Sequence, residues 1–212
     1  MTDKLPDSTG KRADDAAEIA WFRQASPYIK AYRNSALVLH IDGSLLESSH
    51  CQVMAQDIAL LSHLGLRLVL VPGLRHRINR ELAAENITAG ATDTIRQTDS
   101  ATLAIVRRVA GEVRIEMESL LSLGLINTPM AGAHLSVVSG NFVTAQPVGV
   151  RNGIDFGYAG EVRKIHRRAV ETHMASGHIV LLPPLGYSRT GCLLYTSPSP
   201  RDQRGSRMPS SA

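Results

Sequence analysis

The stretch Leu61-Ser-His-Leu-Gly-Leu-Arg-Leu-Val-Leu-Val-Pro-Gly73 decides the fold. Its first residues close a helix: from Ser48 to Leu64, Met54, Ile58 and Leu61 recur at helical spacing, and Gly65 is the stop. Its second half, Leu66 to Val71, is a nearly continuous apolar run ended by Pro72-Gly73. A strand without a polar face belongs in the middle of a parallel sheet, where both sides are covered. Upstream, Ala36 to Ile41 is a second short β-rich run, stopped by Asp42-Gly43. Downstream, Arg75 to Glu85 predicts a helix with Ile78 and Leu82 facing inward. Strand, helix, strand, helix in this order predicts a doubly wound α/β domain.

The rest of the chain extends the pattern. Thr98-Asp99 caps a long helix on which Leu103, Val106, Ala110, Val113, Met117 and Leu120 form one apolar face, ending at Gly124. His134 to Ser139 and Phe142 to Gln146, separated by Gly140-Asn141, predict a β-hairpin with a two-residue turn. Arg167 to Ser176 predicts a helix stopped by Gly177, and His178 to Leu182 a strand reaching Pro183-Pro184. Residues 1 to 15 are polar and expected to be loose. From Ala16 to Arg33, Ile19, Trp21, Phe22, Ala25, Tyr28, Ile29 and Tyr32 spread over a broad helical face that Pro27 interrupts, predicting two short helices or one kinked one. That face reads as ordinary packing or as an oligomer contact.

Composition bounds the function. With 212 residues, 43% of them apolar and 20% charged, the chain can bury a full core, which excludes a mainly disordered protein and a disulfide-stapled miniprotein. No apolar run reaches the roughly 18 residues of a membrane span, and the N-terminus has no apolar signal region, so a cytoplasmic protein without a membrane partner is expected. Cys51 and Cys192 are the only cysteines, too few for a disulfide framework or a four-cysteine zinc site, and the eight histidines show no ligand spacing, so no metal is assigned. The net charge is +4, and half of it comes from Arg201, Arg204 and Arg207 against Asp202. What remains is close to neutral and gives no reason to expect nucleic acid. These arginines lie in the segment 192–212, rich in serine and proline, which is expected to be disordered. Its string CLLYTSPSPRDQRGSRMPSSA resembles translated sequencing-adaptor sequence, so native sequence is expected to stop at Gly191.

In open α/β sheets ligands bind beyond the carboxyl ends of the strands. Those ends fall at Asp42-Gly43-Ser44, Pro72-Gly73-Leu74-Arg75, Gly140-Asn141 and Pro183-Pro184-Leu185-Gly186. The order and spacing of these turns resemble the amino acid kinase fold. The strings Gly132 to Val150, GAHLSVVSGNFVTAQPVGV, and Leu61 to Gly73 are similar to the kinase-like N-terminal half of the bacterial N-acetylglutamate synthases. The likeness runs over roughly Phe22 to Gly191, and the partial domain it implies is placed at residues 16 to 191. It implies a three-layer α/β sandwich with a mainly parallel central sheet, carbamate kinase-like and incomplete at its C-terminus.

The departures from active kinases are specific. Where they carry Lys-x-Gly-Gly after the first strand, this chain has His40-Ile41-Asp42-Gly43, which removes a fixed cation and adds a carboxylate. Where acetylglutamate kinases carry His-Gly-Gly-Gly, it has Pro72-Gly73-Leu74-Arg75. Both changes oppose phosphoryl transfer, which depends on charge neutralisation and free backbone N–H groups. The resemblance therefore implies a non-catalytic part of an enzyme of arginine biosynthesis, with L-arginine as allosteric effector and self-association as a homo-oligomer. It implies no cofactor here; acetyl-CoA would serve an acetyltransferase domain that this chain lacks. An acetylglutamate kinase-type activity and a non-enzymatic amino-acid sensor are the alternatives.

Gly43, Gly73, Arg75, Arg96 and Asn141 are the candidate ligand residues of this vestigial crevice. By the same likeness Arg96 matches an arginine that holds a substrate carboxylate in acetylglutamate kinases; a salt bridge or cap near a helix start is the alternative. Asn141 matches a ligand-binding turn, although Gly-Asn also suits a tight hairpin. Arg75, with His76 and Arg77, reads as residual anion binding or as solvated surface. The basic run Arg163 to Arg168 reads as a solvated helix start.

Overall fold

The computed structural model describes residues 8–87, 95–122 and 135–196. Two strands of different character start the sheet. β1 (Ala36–Ile41) alternates between exposed and half-buried residues, whereas β2 (Arg67–Pro72) is buried along most of its length. They pair in parallel from Ala36↔Arg67 to Ile41↔Pro72. Ahead of them runs α1 (Ser8–Tyr32), and between them lie α2 (Gly43–Leu46) and α3 (Cys51–His63). Then come α4 (Arg75–Ala84), α5 (Ser100–Ser122) and β3 (Val137–Ser139). Next are β4 (Val143–Pro147), β5 (Val150–Arg151), β6 (Ile154–Asp155) and β7 (Ala159–Ile165). The last elements are α6 (Arg167–Ala175), β8 (Ile179–Leu181), β9 (Leu185–Tyr187) and β10 (Leu193–Thr196).

The central sheet has the order β1-β2-β8-β3 and is parallel throughout. Alternate side chains of β2 and β8 feed two cores. Leu68, Leu70, Ile179 and Leu181 meet α3, α4 and α5 through Ile58, Ile78, Leu82, Val106, Val109 and Met117. Val69 and Val180 meet Phe142 and, on α6, Val170 and Met174. This gives the expected three layers, and each fully buried aliphatic side chain contributes roughly 1.5–3 kcal/mol.

The expected hairpin at Gly140-Asn141 does not form. β3 joins the parallel sheet beside β8, while β4 pairs antiparallel with β7 in a separate four-stranded barrel, β10-β7-β4-β9. Val137 and Val138 pack on opposite faces of the sheet, so β3 needs cover on both sides. Phe142, 7% exposed, drops into the α6 layer and turns the chain away, and its carbonyl accepts from the His166 N–H at 2.8 Å. Neither Gly140 nor Asn141 takes the positive φ that a two-residue hairpin turn requires. Asn152 and Gly153 do, at 51° and 78°, and the local hairpin is β5–β6.

Three further expectations are corrected. The segment 1–15 is helical from Ser8 onward, since residues 11–26 hold neither Gly nor Pro to break a helix. α1 continues through Pro27, whose missing N–H costs one hydrogen bond that water can replace on an exposed helix. The disorder expected from Cys192 starts later, because β10 forms: Leu194, 2% exposed, fills the barrel side against Gly160, and Tyr195, 3% exposed, packs on the other side into the core of α3, α4 and α5. Residues 1–7 and 197–212, the Gly124 stop and the strand start at His134 lie outside the described residues.

If Phe142 turns the chain between the two sheets, Phe142→Ala should cost about 3–5 kcal/mol. Urea unfolding followed by circular dichroism checks this; a loss below about 1 kcal/mol would place the turning constraint elsewhere.

Candidate functional site

The register Ile41↔Pro72 brings the carboxyl ends of β1 and β2 level, so the turns after them touch. The Gly73 N–H donates to the Ile41 carbonyl at 2.7 Å. A Cβ on Gly43 would stand 2.5 Å from the Gly73 oxygen, and one on Gly73 would stand 3.0 Å from the Gly43 nitrogen. Both positions therefore exclude a side chain. Beside this contact, Asp42 caps α2: its Oδ1 accepts from the Ser44 N–H at 2.8 Å and from Ser44 Oγ at 2.6 Å. These Ser44 bonds, helped by His40 and His76, hold the Asp42 carboxyl below its ordinary value. The first turn of α2 is thus occupied by the chain's own anion.

Arg75 starts α4, two residues beyond Gly73. Arg96 lies behind it, 8% exposed, and donates to Asn79 Oδ1 on α4. Burial lowers the Arg96 pKa, Tyr195 opposes that shift, and the nearby Arg75 charge adds to it. Burial raises the Tyr195 pKa against the pull of both arginines. Among the described residues no carboxylate pairs with Arg96 or Arg75. Two cations near one another, one of them buried, form a place where an anion is favoured. Asp99 caps the helix start, accepting from the Thr102 N–H at 2.8 Å.

Arg96 is also held from the far side. The Thr98 N–H donates to the Phe156 carbonyl at 3.2 Å and the Thr98 carbonyl accepts from the Tyr158 N–H at 2.7 Å, tying the segment to the end of the β5–β6 hairpin. A Cβ on Gly157 would meet the Thr98 oxygen at 2.5 Å, so this joint admits only glycine.

Gly43, Gly73, Arg75 and Arg96 thus gather around β1, β2 and α4. Asn141 does not join them: it is exposed beyond β3, with β8 between that strand and β2. Three participants carried no signal in the sequence reading: Ser44, Asn79 and Glu47. Asp-Gly-Ser at 42–44 is the pattern of a side-chain-capped turn, and Asn79 lies four residues after Arg75 on one helix face; either spacing would have singled them out. Glu47 ties α2 to α4, pairing with Arg80 at 2.9 Å, Arg77 at 3.3 Å and His76 at 3.4 Å. Arg77 continues to Glu116 of α5 at 2.8 Å. Arg75, also exposed, has no such carboxylate partner among the described residues. Among the described residues no three His, Cys, Asp or Glu side chains are placed to share a metal, and no helix is long and apolar enough to cross a membrane.

The amino acid kinase family model matches residues 35–197. An amino-acid acetyltransferase of Ralstonia nicotianae is 43% identical over 173 residues, which cover 82% of this chain and 38% of the relative. An N-acetylglutamate synthase from Neisseria gonorrhoeae, solved with coenzyme A and L-arginine, superposes with a TM-score of 0.76 at 39% identity. That match covers 84% of this chain and 42% of the synthase. Carbamate kinase from Giardia lamblia shares the fold at 9% identity and a TM-score of 0.50. The chain thus spans about two-fifths of the length of the acetyltransferase and synthase relatives it matches.

The Glu47 hub sets a pH dependence. Burial works to raise the Glu47 pKa, but the Arg77 hydrogen bond and the charges of Arg80, His76 and Arg77 outweigh it, leaving it below the ordinary 4.5. A depressed carboxyl stabilises the fold above its unfolded value and loses that contribution as pH falls through the folded value. Glu47→Gln should therefore cost about 1 kcal/mol at pH 7 and almost nothing at an acid pH below the folded value. Denaturant midpoints of both proteins at the two pH values check this.

Proposed function

The chain belongs to the amino acid kinase family, and from that premise we propose that it is the kinase-like, non-phosphorylating part of an N-acetylglutamate synthase. On this reading the whole protein transfers acetyl from acetyl-CoA to L-glutamate in the cytoplasm. The acetyl transfer takes place in the part of the relatives that this chain does not match. The residues described here respond to L-arginine, the end product of the route that the reaction opens.

One observation carries the non-phosphorylating half of the proposal. The N–H groups that would grip a phosphate are already used: Ser44 gives its amide to Asp42 and Gly73 gives its amide to Ile41. Asp42 adds a negative charge where phosphoryl transfer needs a positive one, and Pro72 has no N–H to offer. The kinase alternative loses its catalytic electrostatics at those positions. What survives is the cationic pair Arg75 and Arg96, the latter buried and without a carboxylate among the described residues. This suits recognition of the carboxylate of a small amino-acid-like ligand. The identity to acetyltransferases and the arginine bound by the gonococcal synthase support the choice of parent enzyme and effector.

The purified protein should release no ADP from ATP and N-acetyl-L-glutamate, and turnover above background would overturn the non-phosphorylating assignment. L-Arginine at about a hundred times its Kd should stabilise the fold by about 2.7 kcal/mol, a shift of several degrees in Tm. No shift at saturating arginine would remove the effector role. N-Acetyl-L-glutamate binding that persists unchanged in Arg96→Ala would remove the carboxylate role of that residue.

A further inference from the structure

We infer that Asn79 is a positioning residue, a neutral acceptor that holds the Arg96 guanidinium in place without cancelling its charge, so that the charge stays available to a ligand carboxylate. The inference deepens the carboxylate reading of Arg96 and rests on it. A guanidinium has only N–H donors, so the Asn79 side chain meets it with Oδ1, the uncharged oxygen of an amide. The bond fixes the head of a long side chain and leaves its positive charge whole.

This acceptor departs from the pattern around it. Arg77 and Arg80 of α4 meet Glu47, and Arg77 goes on to Glu116. On α5, Arg108 meets Glu81 and Glu85, and Arg114 meets Glu118. Arg80, Arg108 and Arg114 are about half exposed, where an ion pair contributes little. Among the described residues Arg96 is the buried arginine, the one for which a missing counterion costs most, and it meets an amide. Burial disfavours its cation against the pull of Tyr195, and the Arg75 charge adds to the effect. A charge held out of water in this way is stabilised when an anion arrives.

The geometry would equally admit a carboxylate at this position. Asn and Asp are nearly equal in size, and residue 79 stands four after Arg75 on α4, the spacing at which helix side chains meet. An acid there would touch Arg96 and face Arg75, satisfying both cations from within. The site would then be a closed salt bridge, as at Glu47, and a ligand carboxylate would have to displace it. The amide leaves that place open. Position 79 is exposed, and the segment carrying Arg96 is fastened separately by the Thr98 bonds to Phe156 and Tyr158. Asn79 therefore acts on the guanidinium head and not on the backbone that carries it.

Calorimetric titration with N-acetyl-L-glutamate and thermal melts without ligand test this on the full chain, with Asn79→Asp, Asn79→Gln and Arg96→Ala beside the wild type. Asn79→Asp should raise the Kd by roughly tenfold or more, and it should also raise the ligand-free Tm, because the introduced carboxylate pairs with Arg96. Asn79→Gln, still a neutral acceptor, should keep the Kd within about threefold. A merely structural Asn79 would move affinity and Tm in the same direction. Asn79→Asp binding as tightly as the wild type, while Arg96→Ala binds none, would overturn the role of Asn79 and leave the carboxylate reading standing. Equal losses of affinity in Asn79→Asp and Asn79→Gln, or a lowered ligand-free Tm in Asn79→Asp, would overturn it as well. Unchanged binding in Arg96→Ala, or no binding by the wild type, would overturn the carboxylate reading itself and this inference with it.

Discussion

The parallel register of β1 and β2 is the constraint on which most of the molecule depends. It places Ile41 beside Pro72, and so Gly43 against Gly73, within a distance that only two glycine backbones allow. α2 and α4 start from those two turns, so their mutual position is set by the same contact. The ion pairs through Glu47 and Arg77 then fasten α2, α4 and α5 where the register has put them. Slipping the pair by one residue would turn Leu68 and Leu70 toward the α6 side and Val69 toward the other, inverting both cores.

The same closeness limits the room above the strand ends. A phosphate loop needs space above the strand ends and N–H groups pointing into it. Here the space is taken by the touching turns, and the amides serve Asp42 and Ile41. A crevice need not close when one end of it does: Arg75 opens α4 two residues beyond the touching glycines, and Arg96 lies ahead of α5 against Asn79 of α4.

What could be read from the chain follows the range of the interactions. β2, α4 and α5 were legible because their apolar periods are local and survive any tertiary arrangement. The change of sheet after β3 was not, because Gly140-Asn141 has the composition of a hairpin turn while Phe142 answers to Val170 and Met174, far along the chain. Arg96 was singled out by likeness to a family, but its hydrogen-bond partner Asn79 is 17 residues away on another element. Glu47 and its arginines, some 30 residues apart, leave no mark in composition or periodicity. The early start of α1 was missed because the polar residues 11 to 15 hold neither Gly nor Pro and suit a helix as well as a loop, while Gly10 ahead of them favours the loop.

The barrel offers a different lesson. A Cβ on Gly186 would lie 2.5 Å from that of Ala145, and one on Gly160 would lie 2.7 Å from that of Leu194, so its interior is solid and has no room for a ligand. A filled four-stranded barrel moves as one piece. Its outlying hairpin is pinned to Thr98 by paired backbone bonds, two residues from the buried guanidinium of Arg96. A displacement of the barrel would therefore reach the buried Arg96 through those two backbone bonds and two residues of chain.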